Sequence, residues 1–262
     1  MNPAAVLAVA VALASCSGAA PASPAPVELT VFAAASLRTA LTQLAPMFEA
    51  AHPGVRLVFS FDASSSLRTQ IEQGAPADAF ASADEKNPRA LVDAGLAAGP
   101  SAAFTANELA VIVAPGNRAG IATPADLARP GVRIVAAGDN VPITTYANQL
   151  IANLTRQPGY PPDYAAKVAA NAVSREDNVR AILTKIELGE GDAGIVYAPD
   201  ARSSGRVDTI PIPSGANVVA TYAAVPIRAS SHPAEAKAFV DFLGSPGAQA
   251  VLQSLGFVGS HR

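Results

Sequence analysis

VRLVFSFDASSSLRTQIEQGAPADAFAS, residues 55–82, holds the pattern that decides the fold. Val55–Phe61 reads as a strand, rich in β-branched and aromatic residues and ended by a serine turn. Leu67–Gly74 reads as a helix, and Ala79–Ser82 as a short buried strand. Strand, crossover helix and strand in this order form the unit of an α/β protein.

The same alternation continues on both sides. Upstream lie a strand over Val27–Phe32 and a helix over Ser36–Ala51. Leu37, Leu41, Leu44 and Phe48 fall on one face of that helix, and Pro46 should kink it. Downstream, Pro88–Ala94 is helical, and Leu109–Ala114 (LAVIVA) is an apolar run suited to a strand covered on both faces. Strands are expected at Val132–Ala136, Val168–Val173, Gly194–Tyr197, Val207–Ile212 and Val218–Ile227. Helices are expected at Ala125–Ala128, Thr145–Leu154, Val179–Leu188, Ala234–Leu243 and Ala248–Leu255. The fold class is therefore α/β, a mostly parallel sheet with helices on both faces. Residues 27–262 are enough chain for two such lobes.

Composition excludes several functions. The chain has 262 residues, 18 basic and 21 acidic, with no Lys/Arg block, so nucleic acid has no electrostatic footprint. A single cysteine, Cys16, rules out an internal disulfide or a Cys-based zinc cluster. His52, His232 and His261 lack metal-ligand spacing and read as surface residues. No G-x-S-x-G elbow, Walker A motif or dinucleotide loop is present, and no histidine falls at a candidate site junction to act as a base for Ser36 or Ser64. No cofactor is expected, and the chain reads as a non-enzyme.

Residues 4–14, AAVLAVAVALA, are too short to span a bilayer, which takes about 20 residues. They fit the apolar core of a signal peptide over residues 1–15. Leu13-Ala14-Ser15-Cys16 resembles a bacterial lipobox, which implies cleavage before Cys16 and lipid attachment to its sulfur. The Met1–Val6 stretch departs from that pattern, because it carries no Lys or Arg. Residues 16–26 are rich in Pro, Ala and Ser and read as a tether.

Ligands in open α/β sheets sit beyond the carboxyl ends of the strands, where helix N-termini point. The strand-to-helix junctions are therefore the candidate site. Phe32-Ala33-Ala34-Ala35-Ser36-Leu37 offers small residues, Ala35 among them, and a serine at a helix start. Asp62-Ala63-Ser64-Ser65-Ser66 packs three hydroxyls into one turn. Gly138–Tyr146 has Thr144 or Thr145 as a helix cap. Ser174–Arg180 enters a helix through Asn178, and Gly194–Tyr197 ends a buried strand with a phenol. Neutral hydroxyls, amides and helix ends can hold a dianion without a formal countercharge.

Seven stretches in this order resemble the ModA family, the molybdate-binding proteins of ABC importers. They are VFAAASL at 31–37, SSSLRTQIEQGAPADAFASAD at 64–84, ELAVIVAPG at 108–116, GDNVPITTYA at 138–147, EDNVRAIL at 176–183, GIVYAPDA at 194–201 and GAQAVLQSLGF at 247–257. The resemblance implies the two-lobed, type II periplasmic-binding-protein fold. Lobe 1 would be 27–107 plus 221–262, lobe 2 would be 108–220, and the hinge would lie near Ala106–Leu109 and Ala220–Ala223. It implies an oxyanion held between lobes by Ser36 and Ser64, by backbone N–H at Ile143 and Val179, and by the Tyr197 hydroxyl. Ala35, Ser65 and Asn178 would stand beside them, with Ser65 replacing Ser64 if that turn is shifted by one. Molybdenum would be bound only as its oxyanion, by these same residues. The implied partners are the transmembrane subunits of an ABC permease and, through Cys16, the outer face of the cell membrane. The protein would act as a monomer.

Family members often carry Ala where this chain has Ile143, and the 138–141 stretch looks shortened. Tungstate matches molybdate in size and charge. Sulfate and phosphate are the alternatives within the class. A protonated phosphate favours a site with an acceptor carboxylate, for which Asp62 and Asp177 are the nearest residues. An enzyme, such as a serine hydrolase or an anion-processing lyase, and a structural lipoprotein are the readings outside the class.

Overall fold

A computed structural model describes residues 26–259. The signal peptide over 1–15, Cys16, nearly all of the tether, and His261 lie outside the described residues. The chain runs β1 (Val27–Ala34), a 3₁₀ turn (Ala35–Leu37), α1 (Arg38–Ala51), β2 (Val55–Asp62), α2 (Ser64–Glu72), β3 (Ala79–Ser82) and α3 (Lys86–Asp93). The long strand β4 (Ala102–Val113) follows, then a 3₁₀ segment (Pro124–Ala128), β5 (Ile134–Ala137), α4 (Pro142–Thr155), α5 (Tyr164–Ala170) and β6 (Ala172–Glu176). Next come α6 (Val179–Glu187), β7 (Ala193–Tyr197), α7 (Ala198–Ser203), β8 (Asp208–Ile210), β9 (Val219–Pro226), α8 (Pro233–Leu243) and α9 (Pro246–Ser254).

The strands lie in the order β2-β1-β3-β9-β4-β7-β5-β6, with β8 beside β4. The sheet is mixed, where a mostly parallel one was expected. β1 runs parallel to β2 and β3, and β5 runs parallel to β6 and β7. All pairings made by β4 and β9 are antiparallel. The cause is topological: β4 carries the chain out of one half of the sheet and β9 brings it back, so the two strands pair head to tail. β4 serves both halves, with Ala102–Glu108 against β9 and Leu109–Val113 against β7. That division explains the burial of LAVIVA, which has strands on both edges.

The helices cover the sheet with the faces their periodicity sets. α1 buries Ala40, Leu41, Leu44 and Phe48 and continues through Pro46. α6 buries Val179, Ile182, Leu183 and Ile186. Gly194 lets α6 lie close on β7, because a Cβ there would stand 2.7 Å from Ile182 Cγ2.

Two expected elements change. Val168 belongs to α5, not to a strand, and the strand begins at Ala172. Tyr164 and Val168, four residues apart, bury one face of that helix, and the Tyr164 hydroxyl donates to Pro124 O at 2.6 Å. A short apolar run fits either element, and here tertiary packing decides. Neither Thr144 nor Thr145 caps α4. The helix starts at Pro142, and Thr144 Oγ1 instead donates to Gly138 O at 2.8 Å. His52 and His232 are half-buried where exposed positions were expected. The His52 ring stacks on Phe48 at 4.1 Å, and His232 stands at the start of α8.

Candidate functional site

Four helical N-termini meet at one small cavity. β1 ends in buried Ala33 and Ala34, which bring the chain close before the 3₁₀ turn that holds Ala35 and Ser36. β2 ends at Asp62, and α2 begins at Ser64. α4 begins at Pro142, which has no N–H, so Ile143 supplies the first amide donor of that helix. α6 begins at Val179, behind Asn178. The first N–H groups of a helix have no partner within it. No side chain caps the 3₁₀ turn, α2 or α4, so their first amides are left for something else.

The cavity is lined by Ala35, Ser36, Ser64, Ile143, Val179 and Tyr197, and by Asp62 and Asn178 at its edge. The site residues expected from the sequence are thus brought together, although 161 positions separate Ser36 from Tyr197. Ser65 is the exception. It is not among the lining residues, and its carbonyl accepts from Thr69 Oγ1 at 3.0 Å on the outside of α2. The helix starts at Ser64, so that serine, and not the next, faces inward. The empty volume is about 220 Å3, mouth included. That figure includes open solvent, and the enclosed space is about 10 Å3, far below the roughly 300–1,000 Å3 of pockets for drug-sized ligands, so only a compact group suits it.

Both inward serines are held by other parts of the fold. Ser64 is 1 % exposed, and its Oγ accepts from Ala83 N–H at 3.0 Å. Ala83 is set by a tight turn in which Ser82 Oγ and the Asn87 backbone and side-chain N–H groups all donate to Asp84. Asp78 ties β1 to the loop between β9 and α8, accepting from Thr30 N–H at 2.7 Å and from Ser230 Oγ at 2.6 Å. These bonds give the motif residues of PAD and SAD a structural role behind the site. Ser36 Oγ lies 2.9 Å from the Tyr222 hydroxyl.

Tyr197 closes the cavity from β7. It is 1 % exposed, and its hydroxyl has no partner among the described residues. Burial pushes its pKa well above the ordinary phenol value, reinforced by the neighbouring Tyr222, so it stays a neutral donor. A buried hydroxyl without a partner, on a residue that lines the cavity, leaves a donor for a bound group.

Asp62 and Asn178 join the two sides of the cavity. Asn178 Oδ1 accepts from Ala181 N–H at 3.1 Å, capping α6, while its Nδ2 donates to Asp62 Oδ1 at 3.2 Å. Asp62 Oδ1 also accepts from Ala63 N–H at 2.7 Å. Asp177, the other carboxylate considered, is not among the lining residues, and neither is any Lys, Arg or His. Arg38 stands over the Phe61 ring at 4.4 Å. Among the described residues no cluster of His, Cys, Asp or Glu could hold a metal cation. The arrangement offers amide and hydroxyl donors, and it can hold an anion.

Sequence reading missed Tyr222, Asn107 and Asp200, which lie behind the cavity. Asp200 is buried against Arg180, Nη1 to Oδ1 3.5 Å, and its pKa is pushed up to about 7 by desolvation, which the arginine offsets only in part. Tyr222 and Asn107 stand outside the quoted motifs, and although Asp200 falls within GIVYAPDA at 194–201, its burial against Arg180 appears only in the fold.

The chain is similar to known proteins along most of its length. Residues 29–258 match the family described as bacterial extracellular solute-binding protein. The molybdate-binding protein ModA of Mycobacterium tuberculosis is 37 % identical over 231 residues, covering 88 % of this chain and 84 % of that protein. Among solved structures, the Azotobacter vinelandii periplasmic molybdate-binding protein superposes with a TM-score of 0.74 at 25 % identity, over 89 % of this chain and 100 % of that one. The sulfate-binding protein SubI from Mycobacterium tuberculosis shares the fold, with a TM-score of 0.78 at 21 % identity, over 88 % and 86 %.

Proposed function

The chain belongs to the bacterial extracellular solute-binding proteins, within the ModA family of molybdate-binding proteins, and from this premise we propose that it captures molybdate outside the cytoplasm and hands it to the transmembrane subunits of an ABC importer. Tungstate, alike in size and charge, is the expected second ligand. The observation that carries the reading is the convergence of uncapped helix starts, two buried serines and the unpartnered Tyr197 hydroxyl on one small cavity. In this assignment Ser36, Ser64, Ile143, Val179 and Tyr197 hold the oxyanion, with Ala35 and Asn178 beside them. Helix ends and neutral donors stabilise a dianion by charge-assisted hydrogen bonds.

Capture would involve closure of lobe 1 (27–107 plus 221–262) on lobe 2 (108–220). The change of partner along β4, from β9 to β7 at Glu108–Leu109, supports a hinge there. Closure around the anion would be the state that the permease recognises. Among the described residues no helix is long and apolar enough to cross a membrane. Attachment to the outer face of the membrane is assigned to a lipid on Cys16, with residues 16–26 as tether, and the acting species to a monomer.

Asp62 at the cavity edge favours one second reading, a protonated oxyanion such as hydrogen phosphate, because a carboxylate can accept its proton. Thermal unfolding with molybdate, tungstate, sulfate and phosphate separates the two. A ligand at about 1,000 times its dissociation constant adds about 4 kcal/mol. Shifts with molybdate and tungstate alone agree with the proposal, and a shift with phosphate alone moves the protein to the second reading.

A further inference from the structure

The two inward serines differ in what fixes their protons. At Ser64 the neighbour is Ala83 N–H, which can only donate, so it fills an acceptor position of the hydroxyl and leaves the Ser64 O–H for a ligand. At Ser36 the neighbour is the Tyr222 phenol, 2.9 Å away, and either oxygen could be the donor. If Ser36 donated to Tyr222, it would present lone pairs to the cavity and repel an oxyanion. If Tyr222 donates, the Ser36 proton turns inward. We propose that Tyr222 is a positioning residue that donates to Ser36 Oγ, aims the Ser36 proton into the cavity, and thereby favours oxyanions that carry no proton of their own.

Three observations support that direction. Tyr222 is fully buried, and burial together with the nearby Asp200 holds its phenol well above its ordinary pKa, so the proton it donates is always present. The carboxamide of Asn107 is also fully buried, and neither its nitrogen nor its oxygen has a hydrogen-bond partner among the described residues, so its N–H is free to serve the phenol of the neighbouring strand. Its N–H can donate to the phenol oxygen and polarise the O–H toward Ser36. Asn107 lies on β4 and Tyr222 on β9, the two paired strands that link the halves of the sheet. The Tyr222–Ser36 pair is therefore anchored on a rigid element and can hold its direction before the ligand arrives.

The inference rests on the oxyanion reading above and is tested apart from it. Molybdate and inorganic phosphate, which is protonated at neutral pH, are titrated calorimetrically into the wild-type protein and Tyr222→Phe. Tyr222→Phe frees the Ser36 hydroxyl to rotate, so molybdate affinity is expected to fall about tenfold. Phosphate affinity should fall much less or rise, because the rotated hydroxyl can accept the phosphate proton. In a Ser36→Ala background, Tyr222→Phe should leave the molybdate-to-phosphate ratio unchanged. Parallel weakening of both anions would mean that Tyr222 acts only in packing and would overturn the proposal, as would wild-type behaviour in Tyr222→Phe. If the phenylalanine variant fails to fold, 3,5-difluorotyrosine at position 222 keeps the shape and strengthens the donor. Tighter molybdate binding is then expected, and no change or weaker binding overturns the proposal. Absence of molybdate binding by the wild type removes the oxyanion reading and this one together.

Discussion

Asn178 Nδ2 donates to Asp62 Oδ1 at 3.2 Å, joining the start of α6 to the end of β2 across 116 residues of chain at the cavity edge. The same side chain caps α6 through Ala181 N–H. Asn178→Ala removes both bonds at once. Loss of a helix cap lowers stability by about 1 kcal/mol. If the Asp62 contact latches a closed cleft, the variant should also bind its anion more weakly and release it faster. Asn178→Asp keeps the cap but sets two carboxylates together, so it should retain stability better than it retains affinity. Denaturant midpoints and stopped-flow release rates check both.

Ser36→Ala and Ser64→Ala should each weaken oxyanion binding by roughly 1–3 kcal/mol, because a buried anion loses a donor. Ser65→Ala, on the outer side of α2, should bind as the wild type does. Calorimetric titration of the three variants decides between Ser64 and Ser65. Equal loss in all three would contradict the assignment.

Tyr197→Phe should move stability and affinity in opposite directions. Its hydroxyl is buried without a partner among the described residues, and burying an unpaired polar group costs about 1–3 kcal/mol. The ligand-free variant is therefore expected to unfold at higher temperature than the wild type. Bound to the anion it should lose one hydrogen bond and about tenfold in affinity. A variant that is both less stable and unchanged in affinity would count against a ligand-facing hydroxyl.

Asp200 makes stability depend on pH in an unusual direction. Its folded pKa is pushed up to about 7 from the ordinary carboxyl value of 3.8, chiefly by desolvation. Between these values the folded protein binds the proton more than the unfolded chain does, so stability falls as pH rises from about 4 to about 7 and levels off above. The contribution lost is a few kcal/mol, in rough order of magnitude. Asp200→Asn should flatten this slope, and thermal scans from pH 4 to 8 measure it. The neutral amide also denies Arg180 its carboxylate, so some loss is expected above about pH 7, where the wild-type Asp200 is ionised.

Much of the site was legible because its parts are local. Alanines before Ser36, a serine run before Leu67, a Val-Pro before Ile143 and Asn178 before an apolar helical face each mark a strand-to-helix junction within a few residues. The amide donors depend on where a helix starts, which the apolar period shows to within about two residues. That margin left Ser64 and Ser65 unresolved, and it misplaced the cap of α4. The 168–173 run failed for another reason, because five apolar or small residues in six satisfy both periods. Tyr222 was out of reach altogether. It stands 186 positions from Ser36 in the middle of an apolar strand, and only the pairing of β9 with β3 and β4 brings it behind the site.

The central claim is that these particular groups hold a tetrahedral oxyanion in this one cavity. A crystal grown with tungstate tests it most directly, since the metal's anomalous signal locates the ion without reference to the protein atoms. The account predicts a single strong peak within hydrogen-bonding reach, through its oxygens, of Ser36 Oγ, Ser64 Oγ, the Ile143 and Val179 N–H groups and the Tyr197 hydroxyl. A peak elsewhere, or an empty cavity at saturating tungstate, would contradict it.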